Sequence, residues 1–204
     1  MLVCAEWSRS VTRLSSQYEY MSLDDFEELL PDKPADERWE LIGGRVVRMM
    51  VGARWEHQRI VANVSTAMLA AFRAKGSGCR PFAETFWLKK KLLDLAVFPD
   101  VIVRCGALPP GATSLDDPVV LVEVVSKGSA QRDRHEKWML YNRIPSLRHY
   151  VLIERDSIAV DAFDREENGF HLRPRMESPA DALRLPAIDF EMPLAEIYRD
   201  VLAG

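Results

Sequence analysis

Apolar residues recur along this chain with two different periods, and the change of period marks the elements. From residue 57 to 75, Ile60, Val64, Ala67, Met68 and Ala71 fall on one stripe, the repeat of an amphipathic helix. Gly76 and Gly78 end it. The segment 22–30, SLDDFEELL, predicts a shorter helix, with Ser22 as its N-cap and acids in its first turn. Pro31 and Pro34 stop it. Residues 39–50, WELIGGRVVRMM, predict a hairpin turning at Gly43-Gly44. Segments 84–92 and 95–104 read as strands, and Pro99 in the second implies an edge position or a strand start. The run 119–125, VVLVEVV, is almost wholly apolar and β-branched, as in a strand buried on both faces. A helix over 129–143, a strand pair over 149–154 and 158–165, and an irregular tail ending in a short amphipathic helix complete the chain. The order predicts a mixed α/β sandwich with helices flanking a central sheet.

The chain has 204 residues, 48% hydrophobic and 28% charged, a globular composition. No linker or internal repeat divides it. Residues 1–20 read as a poorly ordered N-terminal extension, with Met21 as an alternative start, and residues 21–204 as one domain. The first twenty residues lack the basic start and apolar stretch of a signal peptide. No apolar run reaches the roughly 20 residues of a membrane-spanning helix, so no membrane partner is expected. Cys4, Cys79 and Cys105 are odd in number and far apart, so no disulfide framework or CxxC knuckle is expected. A reducing, cytoplasmic setting follows.

The net charge is −4, which argues against binding through a broad positive surface. The charge is uneven, however. Residues 22–40 carry eight acids against Lys33 and Arg38, and residues 127–148 carry six Lys or Arg against Asp133 and Glu136. Local potential matters more than the total for steering a polyanion. Both runs are equally compatible with solvated helix faces.

Three residues carry candidate chemistry. Glu123 lies inside the apolar run 119–125. A buried carboxylate there must be paired, protonated or bound to metal. Asp100 follows Pro99 and opens the apolar VIV segment. Two carboxylates on neighbouring strands suit a hard divalent ion such as Mg²⁺. Lys137 lies in the following helix, on one face with Asp133 and Tyr141 at four-residue spacing. Each residue alone fits a turn, a capped strand or a surface ion pair; the set is more specific. Four scattered histidines, His57, His135, His149 and His171, make no zinc motif.

Phe98-Pro99-Asp100-Val101, Val122-Glu123-Val124-Val125-Ser126 and Arg132-Asp133-Arg134-His135-Glu136-Lys137 through Tyr141 resemble the Uma2 group (DUF820) of the PD-(D/E)XK nuclease superfamily. Trp39-Glu40-Leu41-Ile42-Gly43-Gly44, His57 at a helix start and the segment 192–198 extend the resemblance over roughly residues 20–200. It implies an α/β, restriction endonuclease-like fold, with a central mixed β-sheet flanked by helices, an N-terminal helix and a β-hairpin. It implies an endonuclease that hydrolyses nucleic-acid phosphodiesters with Mg²⁺, for which Mn²⁺ can substitute. Asp100 and Glu123 would be metal ligands, with the Val124 carbonyl as a third. The superfamily lysine, two residues after the acid, is replaced by Val125, as in the Uma2 group. Lys137 would supply that ammonium from the helix, ahead of Lys127 near the strand end. Glu40 would complete the acidic cluster or hold Lys137, and His57 would act as a base or orient a ligand. Arg132, Arg134, Arg143 and Lys89-Lys90-Lys91 would contact the nucleic-acid backbone. The loop SKGSAQ after the strand of Glu123 and the stretch NRIPSLRHY after Tyr141 depart from the family pattern. DNA is the favoured substrate; strandedness and sequence specificity stay open, and a homodimer suits cutting two strands. Two rivals remain: an inactive nuclease-like module that binds nucleic acid or a protein, and a hydrolase of small phosphoesters.

Overall fold

The computed structural model describes residues 20–50, 52–126 and 131–202, without the side chains of Met50 and residues 131–134. Most of the expected N-terminal extension, residues 1–19, lies outside that range, as does Lys127.

The chain runs through α1 (Leu23–Leu29), β1 (Glu37–Ile42), β2 (Arg45–Met50) and α2 (Trp55–Ala74). Next come β3 (Cys79–Ala83), β4 (Trp87–Lys90), β5 (Leu95–Val97), β6 (Val101–Cys105), β7 (Ser114–Leu115) and β8 (Val120–Val125). Then follow α3 (Gln131–Tyr141), β9 (His149–Glu154), β10 (Val160–Glu166) and β11 (Gly169–Leu172). The chain closes with β12 (Ala182–Leu185), β13 (Phe190–Pro193) and α4 (Leu194–Ile197).

Local chemistry explains the early elements. Ser22 accepts a hydrogen bond from the Asp25 amide and so caps α1. β1 and β2 pair antiparallel with Ile42 opposite Arg45. Their two-residue turn needs positive φ at both positions, and Gly43 (+58°) and Gly44 (+82°) supply it.

The main sheet has the order β11-β10-β9-β8-β6-β3. Only the β8–β9 pair is parallel. Such a pair needs a crossover, and α3 is that crossover. A second sheet has the order β2-β1-β5-β4-β7. Alternation along β8 sorts two cores. Val120, Val122 and Val124 meet α2 through Ile60, Val64, Met68 and Phe72, with the β12–β13 hairpin and α4 closing that layer. Leu121 and its neighbours Ile102, Tyr150 and Leu152 face Leu88, Leu95 and Val97 of the second sheet and Tyr141 of α3. Thus a helix covers one face of the central sheet, while a smaller sheet and α3 cover the other.

Three sequence expectations are corrected here. The strand expected over 95–104 is two strands in two sheets: β5 pairs with β1 and β4, β6 with β3 and β8. Phe98-Pro99-Asp100 is the corner between them, where the missing proline N–H costs no ladder bond. The tail is not irregular; it holds three short strands. Finally, Cys79 and Cys105 form a disulfide. They stand directly opposite in the β3–β6 register, a pairing invisible to sequence spacing because β3, interrupted by Pro81, shows no alternating pattern. β3 lies at the sheet edge, where a proline is tolerated. No helix among the described residues is long and apolar enough to cross a membrane.

Candidate active site

The β6–β8 register puts Val101 opposite Val122, and the β3–β6 register puts Ala83 opposite Val101. One step beyond, Glu84, Asp100 and Glu123 occupy one row across three adjacent strands. The Glu84 amide still donates to the Asp100 carbonyl at 3.1 Å, so the row is continuous on that side. Three carboxylates at one sheet end repel, and each is answered by specific partners.

Asp100 is buried, 8% exposed. Its Oδ2 accepts from the Val124 amide at 2.6 Å and lies 3.2 Å from His57 Nε2. The other ring nitrogen, His57 Nδ1, lies 3.9 Å from Glu84 Oε1. That nitrogen is shielded from solvent and has no hydrogen-bond partner. Burial opposes charging His57, but the hydrogen bond to Asp100 and the charges of Asp100, Glu84 and Glu123 outweigh it and raise its pKa. One donor atom each from His57, Glu84 and Asp100 lies within 4.8 Å of the others.

Glu123 turns to another set. Its Oε1 accepts from Tyr141 OH at 3.0 Å and from Lys137 Nζ at 3.3 Å. Lys137 Nζ also lies 3.2 Å from Glu40 Oε2. Burial is the largest influence on Glu123; Lys137 opposes it, while Asp100 and Glu40 add to it, so the carboxyl is pushed up to about 7. Burial works against the Lys137 ammonium, but Glu123 and Glu40 outweigh it, and the lysine holds its proton more tightly than usual. Burial and Glu123 likewise raise the Tyr141 hydroxyl.

Glu40, 2% exposed, also fixes the corner that carries Asp100. Its Oε1 accepts from the Phe98 amide at 2.8 Å. Arg38, two residues earlier on the same face of β1, donates to the Phe98 carbonyl at 2.7 Å. Phe98 of the corner is therefore held by β1 through both its amide and its carbonyl.

Of the residues singled out from sequence, Glu40, Glu123 and Lys137 come together in one cluster, and His57 and Asp100 in another. Val124 joins them through its amide. Tyr141 shares the Lys137 face as its spacing requires; the Asp133, Arg132 and Arg134 side chains lie outside the described residues. Lys89, Lys90 and Lys91 do not form a free basic strip. They pair with Glu27 at 2.6 Å, Asp116 at 3.3 Å and Asp24 at 2.6 Å. Glu84 was not anticipated. Its only signal is that it opens an apolar segment, as Asp100 does. Its backbone is left-handed, with φ +54°, a conformation that costs a non-glycine residue energy and clusters at functional sites.

The chain matches known proteins in several ways. The crystal structure of a putative nuclease belonging to DUF820 from Anabaena variabilis superposes with a TM-score of 0.72 at 16% identity, covering 89% of this chain and 99% of that one. That likeness shows the fold. An uncharacterized protein of Synechocystis sp. is 26% identical over 164 residues, 80% of this chain and 84% of its own. A second from the same organism is 25% identical over 144 residues, 68% and 78% of the two chains. The family model of Uma2, described as "Putative restriction endonuclease", matches residues 23–195. With that match spanning most of its length and the fold of a DUF820 structure around it, the chain belongs to the Uma2 family.

Proposed function

We propose that this protein is an endonuclease that hydrolyses nucleic-acid phosphodiester bonds with a divalent cation, Mg²⁺ or Mn²⁺. The observation that carries the reading is Asp100, set between a His57–Glu84 pair on one side and the lysine-bearing Glu123 cluster on the other. The donor set fits a divalent ion. Carboxylate oxygens suit Mg²⁺ and Mn²⁺ alike, while the solvent-shielded His57 Nδ1, which has no hydrogen-bond partner, favours Mn²⁺. Asp100 and Glu84 would hold the ion with His57, and Glu123 and the Val124 carbonyl would hold it from the neighbouring strand. When bound, such an ion supplies charge to the scissile phosphate and a more acidic water.

The chain's own groups do the rest. Lys137 keeps its proton, so it acts as a fixed positive charge and hydrogen-bond donor towards a phosphate rather than as an acid. Glu40 and Glu123 hold that ammonium in place at 3.2 and 3.3 Å. Tyr141 orients Glu123 through its hydroxyl. Glu40 also anchors the corner before Asp100 and so ties the ammonium and the carboxylate to one β1 residue.

The rival reading, a catalytically inactive module binding nucleic acid or a protein, draws on Val125, which stands where the superfamily carries lysine. Lys137 at Glu123 weakens it, because an ammonium reaches the same carboxylate from α3. Plasmid DNA incubated with Mg²⁺ or Mn²⁺ separates the two. The nuclease reading expects cleavage by the wild type and its loss in Asp100→Ala and Glu123→Ala; equal behaviour of all three removes it.

A further inference from the structure

Trp55 is the first residue of α2 and is 58% exposed. A large apolar ring in water needs a reason when it stands two residues from a site histidine. Arg54, the N-cap, and Arg59, one turn on, are also exposed. Among the described residues neither has a carboxylate partner, unlike Lys89, Lys90 and Lys91. Trp55 and Arg59 are four apart and so share one helix face. His57, together with the buried Ile60, Val61 and Val64, belongs to the other side. Side chains on a helix lean towards its N-terminus, so the indole leans off the end of α2. Ala53 is exposed, and among the described residues nothing lies within 4 Å of where a Gly52 side chain would be. Glu56 is the one acid of the first turn and is half-buried.

An exposed indole flanked by two arginines without a carboxylate partner among the described residues has the chemistry of a stacking platform for a nucleotide. The ring takes a base face and the guanidinium groups take the flanking phosphates. Inside a duplex both faces of a base are stacked on its neighbours, so an internal base can lie on such a ring only where the strand is unpaired and unstacked. We propose that Trp55, with Arg54 and Arg59, binds an unpaired nucleotide of the substrate at the start of α2, two residues from His57, so that the substrate class is single-stranded nucleic acid or a duplex carrying an unpaired stretch. This rests on the nuclease reading above and narrows it.

The test is fluorescence anisotropy with a labelled single-stranded DNA oligonucleotide and with the same strand in a duplex, in EDTA so that nothing is cut. The wild type should bind the single strand more tightly. Trp55→Ala should weaken that binding by roughly 5- to 150-fold and leave the duplex within about two-fold, while Trp55→Phe keeps most of the affinity. Arg54→Ala and Arg59→Ala should each lower the slope of log affinity against log salt by about 0.7. Since Trp55 lies outside the core, thermal unfolding of the variants should match the wild type. If the wild type cleaves plasmid and binds the single strand but Trp55→Ala binds it equally well, this proposal fails and the nuclease reading stands. If the wild type binds neither probe and cuts nothing, both fail.

Discussion

Glu84 and Glu123 sit in one row of the sheet, yet each bears a different kind of cost. Glu84 bears it in the backbone, held left-handed at φ +54°. Glycine adopts that conformation without steric penalty. Glu84→Gly should therefore unfold at a temperature no lower than the wild type, while calorimetric Mn²⁺ titration shows at least a ten-fold weaker affinity. A clear loss of thermal stability with unchanged Mn²⁺ binding would make Glu84 a structural residue. Glu123 bears its cost in solvation. Its carboxyl, ordinarily at 4.5, is pushed up to about 7. A raised acid pKa means that the folded state binds its proton more tightly than the unfolded chain. The contribution is favourable at low pH and is lost as pH rises from about 4.5 to about 7, by a few kcal/mol at most. Denaturant unfolding of the metal-free protein across that window should show the decline, and Glu123→Gln should flatten it. An unchanged slope would mean that Glu123 titrates normally.

At the level of elements, α3 brings Lys137 and Tyr141 to the site, and its far end is fixed by one side chain. Arg165 of β10 donates to the carbonyls of Leu147, Asn142 and Ile144 at 2.5, 3.0 and 2.9 Å, and its guanidinium lies 4.4 Å from the Phe170 ring. Charged hydrogen bonds to these carbonyls, at and just beyond the helix end, are worth more than neutral ones. Arg165→Ala should cost about 2–3 kcal/mol, read from the urea midpoint; a change below about 0.5 kcal/mol, the range of ordinary surface substitutions, would show that α3 is held otherwise. The strongly periodic or capped elements, α1, the β1–β2 hairpin, α2, β8 and the β9–β10 pair, were legible because local pattern decides them. β3 was not, because Arg80 and Pro81 break its pattern and only pairing with β6 makes it a strand. The split at Pro99 was half legible: the proline signalled an interruption, but which sheet each half joins depends on partners distant in sequence. The disulfide followed β3 into invisibility. Thiol titration of the unreduced, denatured protein should find Cys79 and Cys105 protected; three free thiols would contradict that pairing.

Across the whole molecule, the site lies where the two cores meet. Asp100 ends the corner between the sheets, Glu40 reaches it from the smaller sheet, His57 from the helix layer and Lys137 from the crossover. The sequence exposed Asp100, Glu123 and Lys137 because a charge in an apolar run or a four-residue helix spacing is a local anomaly. It left Glu84 hidden, since its place depends on three strands in register. It also left open the roles of Glu40 and His57, which depend on contacts between layers. The basic strip at Lys89–Lys91 shows the converse: a charge run plain in sequence is answered in space by Glu27, Asp116 and Asp24. The proposed nuclease function therefore requires one convergence, that of Asp100 with groups from separate layers around a divalent ion. An anomalous difference map from a crystal soaked in Mn²⁺ tests it most directly. The expected result is a peak coordinated by the Asp100 carboxylate at roughly 2.0–2.6 Å, the range for oxygen ligands of hard cations. A saturating soak with no peak at Asp100 would contradict it.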